Sequence, residues 1–414
     1  MLLYIDPGTG SMLLTILIGM ISILYFFFQK VRIRLKSIIR GSRVKNDDKG
    51  HMPYVIYSDS KRYWNVFKPI CDIFEEKKIP LVYWTSSPDD PALVEDYQYV
   101  KREFIGEVNR AVARLNMMNA GICLSTTPGL DVYQWKRSKN TKWYVHICHA
   151  VGDISMYRMF GTDYYDAILM SSIIQSQEIS ELERAHNRPS KELILAGISY
   201  MDELQKRVRA AKIEKKDVAV KTVLVAPSWG KNSILSMYGE EFLDSLVNTG
   251  YNVIIRPHPQ SMISDRDTID PLMKKYPDSE MISWNFDNDN FNSLMESDII
   301  ISDFSGVIFD YAFVFDKPVI YTEINYDRGP YDAYWLERPL WLLDALPQIG
   351  IPLKKEDFSN MRSVIEHTLK DTDLKAGRDR IREEGWQNVG KCAESTFDYM
   401  IGKYSDLYSE TESA

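Results

Sequence analysis

The sequence predicts an α/β protein in which two doubly wound parallel sheets face each other across a cleft, behind a single N-terminal transmembrane helix. Three observations predict it. From about Pro53 onward, short apolar runs alternate with helical stretches; the pattern is interrupted once by a charged segment and then restarts; and an uncharged apolar run precedes it all. Strand–helix alternation implies parallel sheets with helices on both faces. The 414 residues also exceed one ordinary domain, since domains run to roughly 100–200 residues.

The first element is the apolar run Ser11 to Phe28, 18 residues without a charge. As a helix it would measure about 27 Å, slightly less than the ~30 Å hydrocarbon core of a bilayer. Lys30 and Arg32 follow at once and can snorkel to the interface. A signal peptide carries its positive charges before the apolar run, whereas here they come after it. The positive-inside rule therefore places the body in the cytoplasm, as a single-pass protein of the cell membrane. Seven basic residues and no acidic one lie between Lys30 and Lys45. Val31, Leu35, Ile38 and Ile39 form one apolar stripe within that stretch, so Lys30, Arg32, Arg34 and Lys36 would meet an anionic leaflet from a helix lying on it. An ordinary stop-transfer flank would have the same composition.

In the body, strands are predicted at Tyr54–Tyr57, Leu81–Trp84, Gly121–Leu124, Trp143–Ile147, Ala167–Met170 and Glu192–Leu195, with helices over Tyr63–Lys77 and Phe104–Met118. Met201 to Val218 is rich in Lys, Arg and Glu and reads as a solvated helix or linker. Beyond it come strands at Thr222–Ala226, Val253–Ile255, Ile299–Ile301 and Val319–Tyr321, and helices over Tyr238–Asn248, Thr268–Lys275 and Val307–Phe315. The resulting division is an anchor and basic helix over 1–45, a Rossmann-like domain over 46–210, a second over 211–385, and a C-terminal helix and tail over 386–414. The polar tail after Gly402 is expected to fray.

Bulk properties exclude several classes. Apolar residues make up 45% and charged residues 26%, which is globular usage and excludes long disorder. The net charge is −8 despite the basic flank, so the body lacks the basic face that nucleic acid requires. Cys71, Cys123, Cys148 and Cys392 form no Cys-x-x-Cys pair, which argues against a structural zinc site and a disulfide framework.

Ligands of doubly wound sheets bind at the carboxyl ends of the strands, so chemistry is sought there. The strand Ile299–Ile301 runs into Ser302-Asp303-Phe304-Ser305-Gly306 and directly into an apolar helix. Small hydroxyl residues and free helix-start amides can cradle phosphate; the same residues also suit a plain helix cap. Val253–Ile255 leads into Arg256-Pro257-His258-Pro259. The prolines pin the histidine, and Arg offers phosphate a fixed fork; a structural histidine in a rigid turn is the alternative. Trp143–Ile147 leads into Cys148-His149. His149 lies at the strand end as a candidate general base, while His146 suits the core. Alternation along the strand separates His146, Cys148 and His149, which disfavours a metal cluster. Ser228-Trp229 and Asp202 lie on further loops read as lining the cleft.

Together these segments resemble the CDP-glycerol glycerophosphotransferases of teichoic acid synthesis, over roughly residues 110–400. A family Trp-His-Gly motif looks like Cys148-His149-Ala150, and a Gly-x-Pro-Arg-x-Asp motif looks like Gly197 to Asp202. Ala-Pro-Thr-Trp looks like Ala226 to Trp229, and a basic-x-His-Pro motif looks like Arg256 to Pro259. Asp-Tyr-Ser-Ser with a following Phe-Asp looks like Asp303 to Gly306 with Phe309-Asp310, and Asp-Lys-Pro looks like Asp316-Lys317-Pro318. The chain departs at Cys148 and Ala150, at Gly306 in place of the second Ser, and at Tyr200 in place of Arg. The donor scaffold thus looks kept and the acceptor side altered.

The resemblance implies a GT-B fold with a CDP-linked donor in the C-terminal half, and transfer that needs neither metal nor cofactor. His149 would be the base. His258, Arg256, Ser302, Asp303, Ser305 and Gly306 would face the donor phosphates. Glycerol phosphate or a related polyol phosphate would pass to a hydroxyl on a membrane or lipid-linked cell-envelope acceptor, releasing CMP. The alternatives are a GT-B glycosyltransferase using a nucleotide sugar and an inactive membrane scaffold that keeps a nucleotide pocket.

Overall fold

Buried on both faces, the strands of a parallel sheet read as continuous apolar runs, and Ile299–Ser302 is such a run, every residue of it buried. The computed structural model describes residues 50–211, 220–322 and 326–409. Among these, thirteen strands form two parallel sheets. The first comprises β1 (Met52–Ser58), β2 (Leu81–Thr85), β3 (Val100–Phe104), β4 (Asn119–Ser125), β5 (Asn140–Ile147), β6 (Ala167–Met170) and β7 (Glu192–Leu195), in the order β3-β2-β1-β4-β5-β6-β7. The second comprises β8 (Thr222–Val225), β9 (Asn252–Ile255), β10 (Ile282–Trp284), β11 (Ile299–Ser302), β12 (Val319–Thr322) and β13 (Gly350–Leu353), in the order β10-β9-β8-β11-β12-β13. From Met52 onward the chain forms one compact unit.

In each sheet the strand order reverses once, at β1/β4 and at β8/β11. Loops leaving the strands beside such a switch point diverge and open a crevice. The two crevices face each other, which brings the loops after β1, β5 and β7 against those after β8, β9, β10 and β11.

The C-terminal helix Cys392–Ser409 returns to the first sheet. Phe397 meets Phe74, and Tyr404 meets Tyr54 at a ring separation of 5.0 Å. The helix lies so close to β4 that a Cβ on Gly121 would stand 2.4 Å from the Tyr404 ring. Tyr404 also stacks on Tyr408, and the helix continues past Gly402 to Ser409, further than expected; the rest of the tail lies outside the described residues.

Other expectations need correction. β3, β10 and β13 are not among the predicted strands. β3 is a polar edge strand, β10 has three residues, and β13 contains Pro352. The helix expected over Phe104–Met118 shrinks to Val108–Leu115, because Phe104 pairs with Thr85 and Asn119 opens β4. Much of the charged segment is the helix Ser199–Ala210, which buries Met201 and Leu204; residues 212–219 lie outside the described residues. The apolar run and basic flank of 1–45 also lie outside them. Among the described residues, no helix is long and apolar enough to cross a membrane. All four cysteines are buried and unbonded.

Candidate functional site

The facing crevices enclose a cavity of about 310 Å³ lined from both halves of the chain. The N-terminal half supplies Arg62, Tyr63, Asn65, His149 and Tyr200; the C-terminal half supplies Arg256, His258, Asn290, Ser305, Gly306 and Asp310, among others. A smaller cavity of about 180 Å³ shares His149, Ala150 and Gly306 with it and is otherwise largely apolar, with Tyr157, Phe304, Phe309 and Leu342 in its walls. His149 therefore stands where the two meet.

The hydrogen bonds around His149 favour one tautomer. The Thr126 hydroxyl donates its proton to the Ile147 carbonyl at 2.8 Å. The same oxygen lies 2.6 Å from His149 Nδ1 and, with its proton spent, can only accept there. Nδ1 therefore carries the hydrogen, and Nε2 keeps a free lone pair. Tyr63 packs against the ring at 4.8 Å. Burial, with a smaller contribution from the Arg62 charge, pushes the imidazole pKa down to about 4, so the ring is neutral near pH 7.

His258 has the opposite arrangement. Its Nδ1 accepts the Gln260 backbone N–H at 3.1 Å, so the neutral ring carries its hydrogen on Nε2. Burial and then the Arg62 charge also lower this pKa, to about 4. Trp229 lies beside the ring, 6.4 Å between centroids, and is itself exposed.

The helix Val307–Val314 begins at Gly306, with no side chain bonded across its cap; the Ile308 and Phe309 amides bond the Ser305 and Gly306 carbonyls, and Gly306, Val307 and the positive end of the helix dipole border the cavity. Ser305 lies in the same wall. Gly306 packs against Ala150, where an added Cβ would lie 3.6 Å from the Ala150 methyl. Asp310, in the first turn of this helix, is pushed up to about 7 by burial. Tyr200, close by, donates to Asn290 at 2.9 Å.

Several predicted residues are placed elsewhere. Ser302 is fully buried and donates to the Ala226 carbonyl at 2.6 Å, joining β11 to the end of β8. Asp303 accepts the amides of Ser228 at 2.8 Å and Ile234 at 3.1 Å; it shapes the loop after β8 and offers phosphate no positive charge. Ser228 is buried and, like Trp229, is not among the lining residues. Asp202 does not line the cleft: it accepts from the Gly390 and Cys392 amides and so caps the returning C-terminal helix. Arg256 is in the cavity wall, but one terminal nitrogen bonds Asn285 and the other bonds the Asp287 carbonyl at 2.6 Å. His146 is fully buried, as a core residue should be. Among the described residues, no group of three or more His, Cys, Asp or Glu side chains is arranged to hold a metal.

Arg62, Tyr63 and Asn65 were absent from the sequence-derived site. Their signal is the one used for the other strands: β1 ends at Ser58 and runs into Asp59-Ser60, a cap sequence, with Lys61-Arg62 directly after it.

Residues 159–337 match the model of the family CDP-Glycerol:Poly(glycerophosphate) glycerophosphotransferase; that span includes His258 and the Ser305 loop but not His149. No curated protein matches the chain. Among solved structures, the wall teichoic acid polymerase TagF, soaked with CDPG, is similar at 13% identity over 93% of this chain and 98% of that one, with a TM-score of 0.58. The UDP-GlcNAc 2-epimerase of Methanocaldococcus jannaschii is similar at 12% identity over 85% and 100% of the two chains, TM-score 0.53. S. aureus MnaA with UDP is similar at 11% identity over 86% and 98%, TM-score 0.55. At these identities the likeness establishes the fold alone, an α/β architecture with two doubly wound parallel sheets like that of GT-B proteins.

Proposed function

We propose that the cleft transfers glycerol phosphate, or a related polyol phosphate, from a CDP-linked donor to a hydroxyl of a cell-envelope or lipid-linked acceptor, a reading supported by the match of residues 159–337 to the CDP-Glycerol:Poly(glycerophosphate) glycerophosphotransferase family model. The observation that carries this proposal is the pair of complementary histidines in one cavity. His149 Nε2 is bare and can take a proton, whereas His258 Nε2 bears one and can donate to a phosphate oxygen.

In the proposed reaction, the acceptor hydroxyl gives its proton to His149 Nε2 while its oxygen bonds to the β-phosphorus. The bond from that phosphorus to the bridging oxygen breaks, and CMP leaves with the electron pair. Charge on the phosphoryl oxygens is met by His258 Nε2–H, the Ser305 hydroxyl and the positive end of the helix Val307–Val314. Positioning and charge neutralisation provide most of phosphoryl-transfer catalysis, and one well-placed base adds roughly 10²–10⁴-fold. The smaller, largely apolar cavity gives an acceptor hydroxyl a second way to His149. No step calls for a cofactor or metal.

We place the body on the cytoplasmic side of the cell membrane. The support is the run Ser11 to Phe28 followed by Lys30, Arg32, Arg34 and Lys36, which the positive-inside rule orients and an anionic leaflet would attract.

The test is CMP release from CDP-glycerol, CDP-ribitol and UDP-sugars in the presence of lipid-linked acceptors. Release with a CDP-polyol supports the proposal. Transfer only from a UDP-sugar would make the chain a glycosyltransferase, and nucleotide binding without release from any donor would make it a scaffold.

A further inference from the structure

We propose that Arg62, from the N-terminal half, binds the donor's phosphates, so that the anion is held from both sides of the cleft. The inference rests on the transfer reading above and adds a residue to it.

Arg62 sits in the turn Lys61–Tyr63 that follows β1, at the switch point of the first sheet. Ser60 Oγ accepts from its Nε at 3.1 Å and its backbone N–H at 3.4 Å. That holds the root of the guanidinium and aims the fork. Among the described residues, its two terminal nitrogens have no hydrogen-bond or ion-pair partner, although the side chain borders a cavity that also contains Arg256.

Arg256 is in a different state. Its terminal nitrogens hold the loop after β10, through Asn285 and Asp287, and the Asp287 and Asp289 carboxylates offset its charge. Its work is largely structural, and Arg62 is the cation with unused donors.

The electrostatics of the cavity agree. The Arg62 charge acts on His149 from one half and on His258 from the other, lowering both pKa values. All three side chains line the same cavity. The other groups facing His149 are Tyr63, Tyr157 and Thr126, which bring no charge near pH 7; Asp265 is the anion facing His258. Asp310 is pushed up to about 7 and does not cancel the positive field fully. Asp59 is the carboxylate facing Arg62, and burial raises its own pKa. A planar, two-pronged cation whose terminal nitrogens are unbonded, lining one cavity with two neutral imidazoles and the start of a helix, suits a diphosphate. As CMP leaves, Arg62 can follow the charge onto the departing phosphate.

The experiment uses the full chain with Arg62→Gln and Arg62→Lys, CDP-glycerol as the probe, and two readouts. Titration calorimetry should show about a 10- to 100-fold loss of affinity for Arg62→Gln, the range of one charge-assisted hydrogen bond, and a smaller loss for Arg62→Lys. NMR titration of the ligand-free protein should show the His149 and His258 midpoints both rising in Arg62→Gln. The side chain is exposed, so the fold should persist. Arg256→Gln is the contrast and should lower thermal stability. Wild-type affinity together with unmoved midpoints in Arg62→Gln would overturn the inference and leave the transfer reading standing. If the wild type ignores CDP-glycerol but binds another nucleotide diphosphate through Arg62, the CDP donor is wrong and the role of Arg62 is upheld. A wild type that binds no nucleotide overturns both.

Discussion

His149 and His258 stand at strand ends in opposite halves of the molecule, after β5 and after β9. Each follows a buried strand, each borders the same cavity, and each is held neutral by burial and the Arg62 charge. They differ in what the local backbone offers Nδ1. Thr126, its own proton already given to Ile147, offers an acceptor to His149; Gln260 offers an N–H to His258. One histidine thereby presents a lone pair to the cleft and the other a proton. Residue type sets what an imidazole can do, and the neighbour of the far nitrogen decides which of those things it does.

The comparison breaks most visibly at His149. His149→Gln should lower the single-turnover rate by roughly 10²–10⁴-fold and leave affinity for CDP-glycerol close to that of the wild type. Near-normal turnover would remove His149 from the mechanism. The pH profile supplies a sign as well. The base acts when neutral, and its pKa lies at about 4, below the usual 6.5. Activity measured as kcat/KM should therefore persist as pH falls below 6.5 and be lost only as pH approaches 4. Anionic donor favours the imidazolium, so the acid limb of kcat should lie higher than that of kcat/KM.

On the other side, His258→Ala should weaken CDP-glycerol binding by about 10- to 100-fold, the cost of one hydrogen bond to a charged group. Binding equal to wild type would show that the phosphates lie away from Nε2. A smaller effect tests the tautomer itself. Thr126→Val keeps the shape but removes the acceptor at His149 Nδ1, so the ring can turn or change tautomer. We expect turnover to fall by about tenfold, in line with one ordinary hydrogen bond, with donor affinity unchanged. A loss of affinity instead would mean that Thr126 shapes the cleft rather than the base.

The strand-end histidines were legible in the sequence because buried β-runs are easy to see and GT-B-like sheets bind ligands at their carboxyl ends. Polar residues near those ends were harder to sort. Asp202 and Asp303 look like site residues in one dimension, yet both spend their oxygens on backbone amides, one capping the returning C-terminal helix and the other fixing the loop after β8. Which amide will need a carboxylate depends on contacts 188 residues apart for Asp202 and Gly390, and no local pattern contains that. Arg62 escaped for the opposite reason. Its turn carries an ordinary cap sequence, and only the docking of the halves shows what its guanidinium faces. β3 and β10 were missed because edge strands can be short or polar.

The smallest effect separates two serines three positions apart. Ser302 donates to the Ala226 carbonyl inside the second sheet and is fully buried; Ser305 borders the cavity. Both were expected to hold phosphate. Ser302→Ala should leave the Ala226 carbonyl without that donor and cost about 1 kcal/mol of stability, the net value of an ordinary hydrogen bond, with donor affinity intact. Ser305→Ala should do the reverse, with an unchanged melting temperature and weaker CDP-glycerol binding. Measuring thermal unfolding and donor affinity for both variants decides the matter, because the two readouts should exchange between them. If Ser302→Ala lowers affinity while Ser305→Ala does not, the phosphates sit deeper, against β11 itself, and the helix start at Gly306 is not their cradle.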